Sequence, residues 1–265
     1  MPIREPWFAY HQPNKAARLK LFCLPYAGGG ASIFRLWAHR LPAQVEVVPV
    51  QYPGREGRMM EKPFDRVELL VDALLAAIRP QLNDKPFAFF GHSLGGLISF
   101  VLTRRLRQEG APPPLHLFVS GFRAPQLPDR DPPIYHLPEP EFINELRRLN
   151  GTPEAVLENK ELIQLLLPTL RADFAAAETY HYTAEAPLGC PISAFGGLTD
   201  LKVTEADMVA WQIQTSHRFR TLMFPGDHFF LHKSKDALLA AISQELDQVL
   251  VLSSGLTQIN PFNHE

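Results

Sequence analysis

Short apolar runs alternate with amphipathic stretches along most of this chain. The apolar runs predict strands over residues 19–24, 45–52, 87–90, 115–120, 192–195 and 220–224. Most are continuously apolar rather than alternating, the pattern of parallel strands covered by helices on both faces. Helix patterns fall between them, over residues 33–41, 66–82, 94–108, 205–214 and 235–250. The third is the clearest. Leu94, Leu97, Ile98, Val101 and Leu102 make one apolar face, Arg104, Arg105 and Arg107 follow, and Gly110 supplies a stop. The expected architecture is α/β, a mostly parallel central sheet flanked by helices.

One region breaks the alternation. Residues 123–187 contain no convincing strand. They open with a proline-rich crossing (Pro125, Pro128, Pro132, Pro133, Pro138, Pro140) and continue in three helical patterns, over 141–149, 160–170 and 172–180. This reads as a helical insertion where a lid would sit, within a single domain spanning 1–265. A second small helical domain is the plainer alternative. No internal repeat occurs, and residues 253–265 read as a loose tail.

Composition narrows the function classes. With 46% hydrophobic and 20% charged residues the chain has the makings of a globular core rather than of disorder. Its 26 Lys and Arg against 28 Asp and Glu leave a net charge of −2, with no basic excess to grip nucleic acid. No apolar run approaches the ~18 residues of a membrane span. The first residues carry no apolar stretch after their charges, so no secretion signal is expected. Two cysteines, Cys23 and Cys190, cannot build a disulfide framework, and a cytoplasmic location follows as the default.

The strongest local chemistry is Gly91-His92-Ser93-Leu94-Gly95, which lies between an apolar strand and an amphipathic helix. That context makes Gly-x-Ser-x-Gly a nucleophile elbow, in which a tight turn between flanking glycines projects the serine hydroxyl. The plain alternative is a structural serine in a glycine-rich turn. A serine nucleophile needs a base, itself oriented by a carboxylate, and here the chain order should be serine, acid, histidine. Asp200 follows the strand over 192–195, and His228 follows the strand over 220–224. Asp227, Asp207 and Glu205 are rival acids, but Asp227 adjoins His228 and Asp207 falls in a helix pattern. His92 should point away from its neighbour Ser93. His116 sits in a strand, and His136, His181, His217 and His232 read as solvated. The oxyanion of an acyl-transfer intermediate needs two prepositioned donors. The backbone N–H of Leu94 is one, and Ala27, in the glycine-rich turn Ala27-Gly28-Gly29-Gly30, is assigned the other. That turn lacks the spacing of either phosphate-binding glycine motif. No metal-ligand spacing occurs.

With these residues in view, the chain resembles the type II thioesterases of polyketide and nonribosomal-peptide assembly lines. It is also similar to the medium-chain acyl hydrolase that serves animal fatty acid synthase. The matching segments run in order along nearly the whole chain: residues 24–30, 52–58, 89–96, 151–153, 170–174 and 224–231. The elbow is shared by all α/β-hydrolases. Tyr52-Pro53-Gly54-Arg55-Glu56 and Arg171-Ala172-Asp173 are much narrower. The family's triad falls on Ser93, Asp200 and His228, and many members carry glycine where Asp227 stands. The resemblance implies hydrolysis of acyl thioesters from a carrier protein's phosphopantetheine arm, with no cofactor and no metal, by a monomer. A carboxylesterase or lipase, or a non-catalytic binding module on the same fold, are the alternatives.

Overall fold

The computed structural model describes residues 5–256. Six strands form one sheet: β1 (Leu19–Leu24), β2 (Val45–Pro49), β3 (Phe87–His92), β4 (Leu117–Ser120), β5 (Ile192–Gly197) and β6 (Phe219–Phe224). Their order is β2-β1-β3-β4-β5-β6, and every neighbouring pair is parallel. Parallel neighbours need covered crossovers, and the side chains comply. On β1, Leu19, Leu21 and Cys23 pack with Trp37, Phe90, Leu238 and Ile242 on one face, while Phe22 and Leu24 pack with Val71, Leu74 and Leu97 on the other. The alternative of alternating polar and apolar faces is therefore absent from the central strands.

The flanking helices are α1 (Val67–Ile78) and α2 (Leu94–Gln108), then α3 (Glu139–Leu149), α4 (Glu154–Leu157) and α5 (Lys160–Glu178) in the insertion. After the insertion come α6 (Glu205–Val209), α7 (Phe230–Lys233) and α8 (Lys235–Leu256). Several differ from expectation. Over residues 33–41 there is no α-helix but two 3-10 turns, Ala31–Phe34 and Trp37–His39. Three-residue spacing stacks side chains in that geometry, and Phe34 and Trp37 meet edge to face at 5.0 Å and close over Phe90. Strand β2 stops at Pro49 rather than at residue 52; Val50 still donates to Cys23, but Gln51 donates away from the sheet to Trp7. The patterns over 160–170 and 172–180 are one helix, α5, with Pro168 inside it. Proline deletes one backbone donor there, and the turns on either side hold. Of the tail read over 253–265, residues 253–256 continue α8, and 257–265 lie outside the described residues.

The insertion has its own small apolar cluster of Ile134, Phe142, Leu146, Leu157, Ile163, Leu167 and Leu170. The chain leaves β1 for β2 on one side and returns for β3 on the other. This reversal of strand order opens a crevice at the carboxyl ends of β1 and β3, the place where such sheets bind ligands. Among the described residues no helix is long and apolar enough to cross a membrane.

Candidate active site

Ser93 sits where β3 turns into α2, with φ 52° and ψ −119°. That backbone conformation is costly for a side-chain-bearing residue. The neighbours explain why it is held. A Cβ on Gly91 would lie 2.0 Å from the Gly95 carbonyl oxygen, and one on Gly95 would lie 2.1 Å from that of Leu24. Only glycine at both positions lets the turn close against β1. The Ser93 N–H donates to the Ser120 carbonyl at 2.7 Å, and the Ser93 carbonyl accepts from Gly96 and Leu97, so the elbow is pinned at both ends. Leu94 opens α2, and its N–H is one of the first-turn donors that have no partner within the helix.

Ala27 occupies the first central position of a tight turn closed by Gly29 N–H donating to the Tyr26 carbonyl at 2.9 Å, with Gly28 at φ +74°. This is a type II turn, whose closing bond makes no use of the Ala27 N–H. Ala27 and Leu94 thus stand at the carboxyl ends of adjacent strands, β1 and β3, on the same crevice.

His228 and Asp200 meet across the next loops. His228 Nδ1–H donates to Asp200 Oδ2 at 2.7 Å; a carboxylate can only accept, so Nδ1 carries a proton, and the neutral ring in this tautomer offers Nε2 as its acceptor. The other oxygen, Oδ1, accepts from the Lys202 and Val203 N–H groups at 2.8 and 3.2 Å. The Asp200 side chain is fully buried, and its two oxygens are held in opposite directions, Oδ2 toward the imidazole. The His228 ring passes over the end of β4: a Cβ on Gly121 would lie 3.4 Å from its Cε1. Gly121 directly follows Ser120, the residue whose carbonyl binds the Ser93 N–H.

The rivals have other partners. Asp207 is buried at the start of α6, where it forms a reciprocal cap with Thr204 and accepts from Arg130. Asp227 turns toward α7, accepting from the Phe229 N–H at 3.0 Å and from Lys233 at 3.2 Å. Burial would raise its pKa, but those bonds outweigh it and hold the carboxyl below its ordinary range. Glu205 is exposed. His92 is fully buried beside the His228 ring, with Nδ1 2.9 Å from Ser120 Oγ. Burial, reinforced by His228, pushes its pKa well below the usual value and keeps it neutral. His116 is likewise buried and shares a 2.9 Å hydrogen bond with Ser193. His232 is exposed, as its surface pattern predicts, and its Nε2 lies 3.0 Å from the Tyr26 hydroxyl. Burial pushes the Cys23 thiol well up and that of Cys190 to about 12, so neither is a ready nucleophile. Among the described residues no group of three metal-ligating side chains assembles.

Sequence reasoning missed one feature of the site. Arg55, from the loop after β2, and Asp173, from α5, form a buried two-pronged ion pair at 2.6 and 2.8 Å. The same carboxylate accepts from the Gly28 N–H at 2.7 Å. Both residues lie in segments singled out above for their resemblance, one basic and one acidic, and that opposite charge was the available signal.

A family model described as "Thioesterase domain" matches residues 19–246. The gramicidin S biosynthesis protein GrsT of Aneurinibacillus migulanus is 48% identical over 92% of this chain and 95% of its own length. The medium-chain S-acyl fatty acid synthase thioesterase of Rattus norvegicus is 35% identical over 83% of this chain and 84% of its own. Among solved structures, the RedJ thioesterase from the prodiginine biosynthetic pathway of Streptomyces coelicolor superposes with a TM-score of 0.82 at 40% identity, covering 88% of this chain and 87% of that one.

Proposed function

The chain belongs to the thioesterase family and is a thioester hydrolase, and from that premise we propose that Ser93, His228 and Asp200 act as its catalytic triad. The substrates are acyl groups held as thioesters on the phosphopantetheine arm of an acyl or peptidyl carrier protein. The observation that carries the reading is the 2.7 Å bond from His228 to the buried carboxylate of Asp200, in loops that follow the sheet's strands as the strained Ser93 follows β3. The names of the relatives, drawn from fatty acid synthase, gramicidin S and prodiginine biosynthesis, support a carrier-held substrate.

The chemistry follows from the groups. Ser93 Oγ adds to the thioester carbonyl carbon while His228 Nε2 takes its proton, and Asp200 stabilises the resulting imidazolium without taking the proton itself. The carbonyl oxygen becomes an oxyanion facing the N–H groups of Ala27 and Leu94. The C–S bond then breaks, the sulfur leaves with the proton from His228, and the acyl group stays on Ser93 as an ester. Water next loses a proton to His228 and attacks that ester; the free acid departs and Ser93 regains its proton. These residues and water balance every step, so the reading needs no cofactor. The insertion over residues 123–187 covers the acyl chain as a lid. Two buried, unpaired cysteines suit a cytoplasmic enzyme, here taken to work as a single chain.

Ser93→Ala is expected to lose roughly 10⁴-fold in turnover while keeping the fold, and a serine-directed phosphonate is expected to label Ser93 alone. An active alanine variant, or a label on Cys23, would refute the assignment. Acyl-carrier, acyl-CoA and oxygen-ester substrates compared side by side test the substrate class. Faster turnover of oxygen esters would make the enzyme a carboxylesterase instead.

A further inference from the structure

The insertion does more than lie over the site, because one of its side chains reaches the turn that carries Ala27. Asp173 Oδ2 accepts from the Gly28 N–H at 2.7 Å and from Arg55 Nη1 at 2.6 Å, while Oδ1 accepts from Arg55 Nη2 at 2.8 Å. Arg55 Nη1 also donates to the Gly29 carbonyl at 3.3 Å, and its Nε donates to Pro53. The Gly28 N–H belongs to the central peptide of the turn, the unit whose rotation interconverts turn types. Leu170, one turn earlier on α5, packs on the same spot: a Cβ on Gly28 would lie 2.6 Å from its Cδ2. Gln51 completes the frame, accepting from the Ala31 N–H at 2.9 Å and donating to the Arg55 carbonyl at 3.1 Å.

We infer that Asp173 is a positioning residue for the oxyanion site: with Arg55 it fixes the turn at Gly28 and Gly29, whose closing bond returns to the Tyr26 carbonyl, so the Ala27 N–H, in the Tyr26–Ala27 peptide within that turn, is correctly aimed only while α5 is seated. The inference rests on the catalytic reading above and adds to it a coupling between lid and oxyanion hole. Both prongs of the carboxylate are needed. Asp173→Asn places an NH₂ group against either Arg55 Nη2 or both the Gly28 N–H and Arg55 Nη1, donor against donor, so whichever way the amide turns at least one restraint is lost. Displacement of a donor matters because oxyanion stabilisation is realised only when the donor sits at hydrogen-bond distance from the developing charge.

The test compares Asp173→Asn, Arg55→Lys and Thr169→Val in the full chain. Thr169 fastens the same helix elsewhere, through a 2.6 Å bond from its hydroxyl to the Gly54 carbonyl. Asp173→Asn and Arg55→Lys are expected to lower kcat on the order of 10²-fold with KM changed by less than about 3-fold. A trifluoromethyl ketone analogue, which forms a tetrahedral oxyanion on Ser93, is expected to bind more weakly by the same factor, while a non-hydrolysable amide analogue keeps its affinity. Thr169→Val is expected to lower thermal stability and leave kcat within about 3-fold of the parent. Unchanged kcat in Asp173→Asn, equal losses for both analogues, or an equal kcat loss in Thr169→Val would overturn the inference. A failure of the catalytic reading shows separately, as retained turnover in Ser93→Ala.

Discussion

At the scale of single residues, the choice of acid decides the site, and two aspartates 27 positions apart compete for His228. Asp200 Oδ2 touches the imidazole at 2.7 Å, whereas Asp227 is engaged by Phe229 and Lys233. Asp200→Asn is expected to lower kcat by roughly 10³–10⁴-fold, because a neutral amide neither stabilises the imidazolium nor enforces the Nδ1–H tautomer. Asp227→Gly is expected to cost less than about 3-fold, and a steady-state comparison of the two variants settles the matter. A larger loss from Asp227→Gly would move the acid. The positions of Ser93, Asp200 and His228 were legible because each follows a strand, so chain order alone brings them to one edge of the sheet. The Arg55–Asp173 pair was not. It joins a loop after β2 to the middle of α5, 118 residues on, and no periodicity connects them. Burying such a pair is costly unless both partners are present, so removing either side chain outright is expected to destabilise by about 3–5 kcal/mol. That is why the conservative variants are the informative ones.

Among the elements, the insertion is where sequence and structure diverge most. Its proline-rich entry and amphipathic helices predict a cover packed less firmly than the sheet. The structure divides that segment in two. Helices α3 and α4 bury Phe142, Leu146 and Leu157 in a small satellite cluster. The second half of α5 is tied to the body through Thr169 to Gly54 and Asp173 to Arg55 and Gly28. The sequence pattern splits residues 160–180 into two helices at position 171, where one helix, with Pro168 inside it, exists. Tertiary bonds just beyond that proline, at Thr169 and Asp173, keep the axis continuous. The expected dynamics follow from this division. Amide exchange is expected to be fastest in α3 and α4, slower in the second half of α5 and slowest in β3. If the insertion is the lid proposed above, an acyl-carrier analogue is expected to slow α3 and α4 most. Equal protection throughout, unchanged by the analogue, would describe a fixed channel. The same competition between local pattern and packing explains the segment before β2. There a short helix-like pattern becomes two 3-10 turns, because Phe34 and Trp37 must both close over Phe90.

For the molecule as a whole, two buried imidazoles make stability depend on pH in a direction that can be worked out. The alternation of strands and helices was legible throughout, since continuously apolar runs have no other use in a chain of this composition. What the strand pattern could not say was which polar side chains the sheet would enclose. His116, the residue before β4, is one: it is 1% exposed, stacks on Phe118 at 4.2 Å and shares a hydrogen bond with Ser193. Burial, with the charge of Arg218 adding to it, lowers its pKa from 6.5 to about 3. His92 is displaced in the same direction by burial. A group whose folded pKa is depressed contributes its full stability above the unfolded value and loses it as the pH falls, because the unfolded chain takes up a proton that the folded chain refuses. The window therefore opens near the unfolded histidine value of ~6.5 and, for His116, runs down to about 3. At pH 5 the loss through His116 is ~2 kcal/mol, and His92 adds to it in the same direction, against a typical total of ~5–15 kcal/mol. His116→Gln retains a hydrogen-bonding amide for Ser193 and cannot titrate. Urea unfolding at pH 7 and pH 5 is expected to show the drop in stability shrinking by ~2 kcal/mol in this variant relative to the parent. The variant's lower stability at pH 7, from imperfect packing on Phe118, leaves that difference intact because it enters both measurements. An undiminished drop would mean that His116 takes up its proton in the folded state with little penalty, and that the acid limb comes from other groups.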